Sequence, residues 1–184
     1  MEDDGPQSME PPSPGDHRPP LHIEIADEGS LLAPERRGWI VSTAIAALEP
    51  VATLGGEVRG RIVGDAEMAE GHMRWLDIPG TTDVLTFDMR ERDDEPLDVD
   101  IMLCFDEASR QADIRGLKPE HELLLYVVHG VLHCLGHDDH DEADAARMHA
   151  EEDRLLGLAG VGPIYATAGR SEDGVRPPSQ ESPR

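Results

Sequence analysis

The sequence predicts an α+β fold: a single domain with a four-stranded mixed sheet and a buried central metal-binding helix packed on it. Strand-like segments with an apolar–polar period of two are separated by segments with helical spacing. One helical segment is apolar on most of its sides, which is typical of a buried helix, and it holds two histidines four residues apart. A chain of 184 residues is long enough to bury one proper core.

In the first half of the chain, predicted strands alternate with predicted helices. Residues 21–27 (LHIEIAD) alternate between apolar and polar side chains and predict a strand. Residues 39–48 form a short, largely apolar helix that Pro50 stops. Residues 57–63 have strand character, and 65–75 predict a second helix, which is followed by a Pro-Gly loop.

The next two segments predict neighbouring strands. Residues 83–88 (DVLTFD) form the third strand, and residues 97–106 (LDVDIMLCFD) form the fourth after a charged connection. The fourth strand places its apolar and acidic residues on opposite faces, with Val99, Ile101, Leu103 and Phe105 on one and Asp98 and Asp100 on the other.

Two helices complete the predicted domain. Pro119 suits the first turn of a helix over 119–136, and Gly136 offers its stop. Asp141 can cap a last helix over 142–157. The resulting order, with two strands adjacent and two helices at the end, gives an α+β domain.

Composition predicts the domain boundaries and the location. Residues 1–20 and 166–184 are rich in Pro, Gly, Ser and charge, so we expect disordered tails around a domain over 21–160. Cys104 and Cys134 make no disulfide framework, and no apolar run resembles a signal peptide or a membrane span. The sequence therefore predicts a cytoplasmic protein with no membrane partner.

The net charge of −23 is unfavourable for contacts with nucleic acid. Residues 21–165 hold 31 acidic against 12 basic side chains, and Lys118 is the only lysine of the chain. Proteins that bind phosphate backbones gain affinity from a basic surface. We therefore expect RNA binding to be local, weak or mediated by a partner, with a shallow dependence on salt.

The segment HGVLHCLGHDDH, residues 129–140, carries most of the functional information. His129 and His133 lie one helical turn apart on the same face. Two histidines fixed by a helix, with a third ligand after the turn at Gly136, predict a three-ligand zinc site with one position open. Water bound at such a position loses its proton near neutral pH. The sequence therefore predicts a catalytic zinc site.

The third ligand comes from two candidates. The zinc-peptidase skeleton HExxHxxGxxH has its third ligand ten residues after the first, which here is Asp139, and His140 follows. We favour Asp139 because the glycine turn fixes the register, and His140 stays the alternative because it is a nitrogen donor. Gly130 stands where the peptidases have their glutamate base, which argues against peptide hydrolysis.

Three other side chains of this segment have different expected roles. Cys134 points about 100° away from His133, which favours a place in the core. His137 is expected to be a turn or pocket-lining residue rather than a ligand. Asp138 is a candidate catalytic proton acceptor, and its alternative is a turn residue that bonds its own backbone.

Three blocks of the sequence resemble one family, the YbeY endoribonucleases that mature ribosomal RNA. The segment HGVLHCLGHDDH is similar to that family's HGxLHLxGYDH signature. Residues 82–88 (TDVLTFD) resemble its T-[DN]-V-L-S-F strand, and residues 99–112 (VDIMLCFDEASRQA) resemble its G-D-I-x-I strand and following turn. The blocks occur in the family's order and spacing between about residues 21 and 160.

The resemblance implies a zinc-dependent hydrolase, with one zinc per chain, that cleaves single-stranded RNA in ribosomal RNA maturation and ribosome quality control. His129 and His133 correspond to zinc ligands of the family. The implied partner is ribosomal RNA or a ribosomal particle, and ribosomal proteins or a GTPase assembly factor are further candidates.

Two positions depart from the family's pattern. The family's third histidine falls at Asp139, with His140 next to it. The family's arginine before the third strand falls at Leu76, so either Arg74 contacts the scissile phosphate or that function is absent. A non-catalytic zinc-containing adaptor of ribosome assembly is therefore the main alternative, and a zinc metallopeptidase is the second.

Overall fold

The computed structural model describes residues 19–165, so the two predicted tails lie outside the described residues except for Pro19 and Pro20. Within this range the chain forms, in order, β1 (Leu21–Ala26), α1 (Pro34–Leu48), β2 (Gly56–Val63), α2 (Asp65–Leu76), β3 (Val84–Asp88), β4 (Leu97–Cys104), α3 (Phe105–Arg115), α4 (Pro119–Cys134) and α5 (Glu142–Leu158).

The four strands form one mixed sheet in the order β1-β2-β4-β3. Strands β1, β2 and β4 run parallel, and β3 runs antiparallel to β4, with Val84 opposite Leu103. On β4, Val99, Ile101 and Leu103 are buried on one face, whereas Asp98 and Asp100 on the other face bind Arg59 of β2. The predicted α+β class with a mixed four-stranded sheet is confirmed.

Helix α4 is the buried centre of the domain. Pro119 at its first turn, with Glu120 beside it, favours the helix start. Leu124, Val128 and Leu132 are fully buried in the main core, and the helix packs against β3, β4, α1, α3 and α5. The structure confirms the helix predicted over 119–136, which ends two residues earlier than expected.

Helix α3 was not predicted. The fourth strand, expected to end at residue 106, ends at Cys104, and Phe105 is already the first helical residue. Ala108 and Ala112, four residues apart, are fully buried, and Gly116 ends the helix in the left-handed conformation at φ 67°. The strand passes into the helix without a loop, so the apolar run of the strand concealed the start of the helix.

The remaining boundaries lie close to their predicted positions. Helix α1 begins at Pro34 rather than at residue 39, and the other ends differ by one or two residues. The side chain of Asp141 accepts the backbone N–H of Asp144 at 2.8 Å, which confirms the predicted cap of α5. Among the described helices, none has the length and apolar character needed to cross a membrane.

Candidate metal centre

Two imidazoles of α4 point their Nε2 atoms at each other. The Nε2 atoms of His129 and His133 are 3.1 Å apart, and the ring planes are nearly perpendicular at 87°. Their side chains are 19% and 32% exposed, so both rings are held by the protein and remain open to solvent on one side.

The other ring nitrogen of each histidine has an acceptor of its own. His129 Nδ1 lies 2.8 Å from Oε1 of Glu152, a fully buried residue of α5. His133 Nδ1 lies 3.1 Å from the carbonyl oxygen of His137. These acceptors favour the tautomer with the proton on Nδ1, which leaves both Nε2 lone pairs free for a cation.

Asp139 is the third residue that joins the imidazole pair. Its carboxylate oxygens lie 3.7 Å from Nε2 of His133 and 3.9 Å from Nε2 of His129. His140 is 86% exposed and its ring contacts the carboxylate of Asp138. The donor atoms of His129, His133 and Asp139 all lie within 4.8 Å of one another, whereas His140 groups with Asp138 and Asp139 at the surface.

The donor set fits a zinc ion. Two imidazole nitrogens and one carboxylate oxygen are a typical set for a catalytic zinc, which keeps a fourth position open. A tetrahedral ion with bonds of about 2.1 Å holds its ligand atoms roughly 3.4 Å apart, and the three separations at this centre lie between 3.1 and 3.9 Å.

Electrostatics at the centre favour a cation. Burial acts to lower the pKa of His129, but the Glu152 hydrogen bond and the nearby carboxylates of Glu152, Asp83 and Asp139 outweigh it and raise the pKa overall. The environment therefore stabilises positive charge at this imidazole.

The chain reverses after α4 to bring Asp139 back toward the helix. Gly136 has φ 90°, a conformation that side chains rarely adopt, and the N–H of His137 binds the carbonyl of Leu132 at 3.0 Å. Cys134 packs against the main core and lies outside the group of converging donors. The glycine turn thus positions both the third donor and the carbonyl that orients His133.

A buried arginine fixes the end of the same helix. The Arg90 side chain is 4% exposed and donates to the carboxylate of Asp88 and to the backbone carbonyl of Cys134. A cation at a helix C-terminus satisfies a free carbonyl and complements the helix dipole. No sequence pattern indicated this contact, because residues 89–96 have only the pattern of a charged connection.

Gly130 allows α4 to lie directly against β3. A Cβ atom at this position would lie 2.5 Å from Oγ1 of Thr86 and 3.4 Å from Cδ1 of Ile101. A side chain as large as the peptidase glutamate has no room there. Close packing against β3 therefore explains why position 130 is a glycine. It also means that the glutamate base of the peptidases does not fit there.

Glu152 is a functional residue that sequence reasoning missed. It lies in α5, 23 residues after His129, on the buried face that also holds Met148 and Leu155. All three side chains are fully buried. The sequence did contain a signal for this residue: Glu152 is a carboxylate at a position of α5 where the helical spacing places apolar side chains. A buried acid needs a specific partner.

A cavity of about 410 Å³ opens beside the first imidazole. This His129 cavity is lined by Thr81, Thr82, Asp83, Glu107, Gln111, Arg115, Leu125, Tyr126, His129 and Tyr165. Its size lies within the range of small-ligand sites. Because α3 was not predicted, the side chains that it contributes to this wall were not foreseen.

The predicted catalytic arginine lies elsewhere on the surface. Arg74, near the end of α2, has its guanidinium 5.7 Å from the ring centre of Trp75 and lines a separate cavity with Arg61. Arg115, not Arg74, is the arginine that lines the His129 cavity among the described residues. Leu76 is 53% exposed at the end of α2. A role for Arg74 at the scissile phosphate stays a prediction.

Asp138 has the contacts of a turn residue. Its Oδ1 accepts the backbone N–H groups of Asp139 and His140 at 2.8 and 3.2 Å. The hydrogen bond from the His140 ring lowers the pKa of the Asp138 carboxyl. A proton acceptor works best with a pKa near the operating pH, so these contacts do not favour catalysis, and the predicted role stays a prediction.

Most of the positive charge of the domain is already paired. Nine of the eleven arginines between residues 19 and 165 form ion pairs with Asp or Glu: Arg36, Arg59, Arg61, Arg90, Arg92, Arg110, Arg115, Arg147 and Arg154. The excess of acidic side chains therefore remains largely unopposed at the surface.

The fold and the site define a single-domain α+β protein with a candidate metal centre built on an HxxxH helix. The model of the Endoribonuclease YbeY family matches residues 35–160. The chain belongs to this family of RNA-hydrolysing enzymes.

Individual relatives agree with this assignment. The chain is 37% identical over 146 residues to Endoribonuclease YbeY of Mycobacterium tuberculosis, which covers 74% of this chain and 82% of the relative. It is 38% identical over 147 residues to the Endoribonuclease YbeY of Nocardia farcinica, covering 74% and 79%. The solution structure of TM1509 from Thermotoga maritima matches with a TM-score of 0.56 and 22% identity, over 84% of this chain and 99% of that one, which supports the fold.

Proposed function

We propose that this protein is a zinc-dependent, single-strand-specific endoribonuclease that acts in ribosomal RNA maturation and ribosome quality control in the cytoplasm. Its partner would be ribosomal RNA or a ribosomal particle, with ribosomal proteins or a GTPase assembly factor beside it. The observation that carries the proposal is the convergence of His129, His133 and Asp139 next to an open cavity.

In this proposal the three convergent side chains hold the ion and the surrounding residues keep them in place. When bound, zinc supplies a Lewis acid that activates water near neutral pH and polarises a phosphoryl oxygen. The buried Glu152 carboxylate fixes the ring of His129, and the His137 carbonyl fixes the ring of His133. Such outer contacts hold a ligand in its binding tautomer and increase its basicity.

The alternative of a non-catalytic assembly adaptor is supported by a specific observation. The Arg115 guanidinium is paired with fully buried Glu122, and Leu76 stands where the family has an arginine. A nuclease needs cationic groups for the developing charge on the scissile phosphate. A peptidase has less support, because the backbone at Gly130 packs too closely for a glutamate.

The test is cleavage of purified ribosomal RNA by the full-length chain, with zinc content measured on the same samples. We expect metal-dependent cleavage that His133→Ala abolishes together with stoichiometric zinc. The control is His22→Ala, since His22 is an exposed residue of β1 away from the centre. Association with ribosomal particles without any cleavage would favour the adaptor, and retention of one zinc by His133→Ala would refute the site.

A further inference from the structure

The face of the sheet that α4 leaves free carries a groove of about 580 Å³. Successive residues of β4 point to opposite faces. Ile101 therefore belongs to the main core with α4, whereas Met102 belongs to a second, smaller cluster with Met68 of α2. Trp75 of α2 and Phe87 of β3 line the groove beside Met102. The sheet thus separates this groove from the metal centre.

Trp75 is held in a fixed position although 47% of it is exposed. A Cβ atom on Gly71, one turn earlier in α2, would lie 2.7 Å from Cζ3 of Trp75, so the ring lies directly on the glycine. The Phe87 ring meets it edge to face, with the ring centres 5.1 Å apart at 67°. Glycine inside a helix is destabilising, and the close contact with the ring accounts for it here. The exposed ring is therefore already ordered before it meets a ligand.

An arginine without an ion pair lies beside this ring. Arg37 and Arg74 are the two arginines between residues 19 and 165 that form no ion pair with a described residue. The guanidinium carbon of Arg74 lies 5.7 Å from the centre of the Trp75 ring. An aromatic ring that stacks on a base, next to a cation for the backbone, is the typical combination for binding single-stranded nucleic acid.

The surface around the ring is apolar and leads toward the metal centre. Leu76, Ile78 and Met89 are each about half exposed, and exposed apolar patches mark binding sites. The loop that follows α2 runs from this patch to Thr81 and Asp83, which line the His129 cavity. A single strand bound at the ring can therefore follow this loop to the metal centre.

We propose that Trp75, supported by Phe87 and Arg74, forms a stacking subsite that binds one unpaired base of the RNA away from the bond that is cleaved. The base stacks on the Trp75 ring, and Arg74 contacts the adjoining phosphate. Every base has a flat apolar face, so this subsite has no sequence preference. Stacking does not depend on net charge and gives affinity to a chain whose surface is acidic. The inference rests on the proposed nuclease function for its ligand and adds a substrate contact outside the metal centre.

The test measures binding of a single-stranded RNA hexamer of adenosine to the full-length chain. All samples carry His133→Ala, so that the probe is not cleaved, and Trp39→Phe, so that tryptophan emission comes from Trp75 alone. We expect the RNA hexamer to quench this emission by stacking. An abasic hexamer with the same phosphates should bind about tenfold more weakly and leave the emission unchanged.

Three variants and a matched control assign the contacts through the anisotropy of a labelled probe. Trp75→Leu keeps an apolar side chain over the glycine but removes the ring, so affinity for RNA should fall about tenfold. Trp75→Phe keeps a ring and should restore most of that loss. Arg74→Ala should weaken both probes severalfold and reduce the slope of log K against log salt by about 0.7. Arg37→Ala removes the other unpaired arginine, on α1 at the main core, and should change neither affinity.

Equal affinities for the two hexamers, unquenched Trp75 emission, or full RNA affinity in Trp75→Leu would overturn the subsite. A change of oligomeric state in Trp75→Leu, measured by analytical ultracentrifugation, would also overturn it, because the patch would then be an interface between copies of the chain. Failure of the nuclease proposal has a different signature. A chain that stacks the hexamer but cleaves no RNA once His133 is restored would refute the nuclease and keep the subsite. RNA cleavage with equal affinities for the two hexamers would refute the subsite alone.

Discussion

The close contact between α4 and β3 makes Gly130→Ala the most informative single substitution for the packing of the metal helix. The new Cβ would lie 2.5 Å from Oγ1 of Thr86, where ordinary contacts begin at 3.4 Å. Helix α4 is held on its other sides by α1, α3 and α5, so it cannot retreat from the sheet without disturbing them.

Two opposing effects set the change in the free energy of unfolding that Gly130→Ala should cause. Replacing glycine by alanine inside a helix stabilises it by about 1 kcal/mol. Overpacking a closed core costs about 1–3 kcal/mol, and the upper half of this range applies because the neighbouring atom belongs to a short side chain on a strand. We therefore expect Gly130→Ala to lower the free energy of unfolding by about 1–2 kcal/mol.

Urea denaturation of the full chain measures this difference. Gly157→Ala is the matched control, because a Cβ there meets nothing within 4 Å, and it should stabilise by up to about 1 kcal/mol. Adding Thr86→Ala to Gly130→Ala removes the obstructing atoms and should recover most of the loss in a double-mutant cycle. A Gly130→Ala protein as stable as the wild type would refute the reasoning.

Three further predictions concern the metal donors and the charge network. Glu152→Gln keeps an acceptor for the first imidazole but removes its charge, so we expect zinc affinity to fall about tenfold in a chelator competition. In the same assay Asp139→Asn should lose much more affinity than His140→Ala, because the carboxylate faces both imidazoles and the exposed ring faces away. The hydrogen bond from Arg110 lowers the pKa of the Asp65 carboxyl, so its contribution is complete above its unfolded value near pH 4 and is lost as pH falls through the folded value. Unfolding measured below about pH 4 should therefore depend less on pH in Asp65→Asn than in Asp113→Asn.

Each of these predictions has an outcome that contradicts it. Unchanged zinc affinity in Glu152→Gln would mean that the buried charge does not act on the imidazole. A larger loss in His140→Ala would mean that the loop shifts by one residue when it binds the ion. If unfolding of Asp65→Asn and Asp113→Asn depended equally on pH, Asp65 would not contribute to the loss of stability in acid.

Features set by local spacing could be predicted from the sequence, whereas those set by tertiary contacts could not. The pairing of His129 and His133 follows from the four-residue spacing on one helix, and the return of the chain follows from Gly136. Arg90 was out of reach because its partner Cys134 lies 44 residues away in the chain. For Glu152 the apolar stripe indicated a buried carboxylate, but not its partner His129, which lies 23 residues away. Helix α3 was not predicted because its buried residues are only two alanines, and it follows an apolar strand directly.

Because most arginines are paired with carboxylates, the surface charge of the protein affects its association rate with RNA. A polyanion that approaches the surface meets a net negative field, which at moderate salt extends over about 10 Å. Enzymes with basic clefts attract nucleic acid and lose association rate as salt is added. For this chain the dependence on salt has the opposite sign: added salt screens the repulsion and should increase the rate of encounter with RNA.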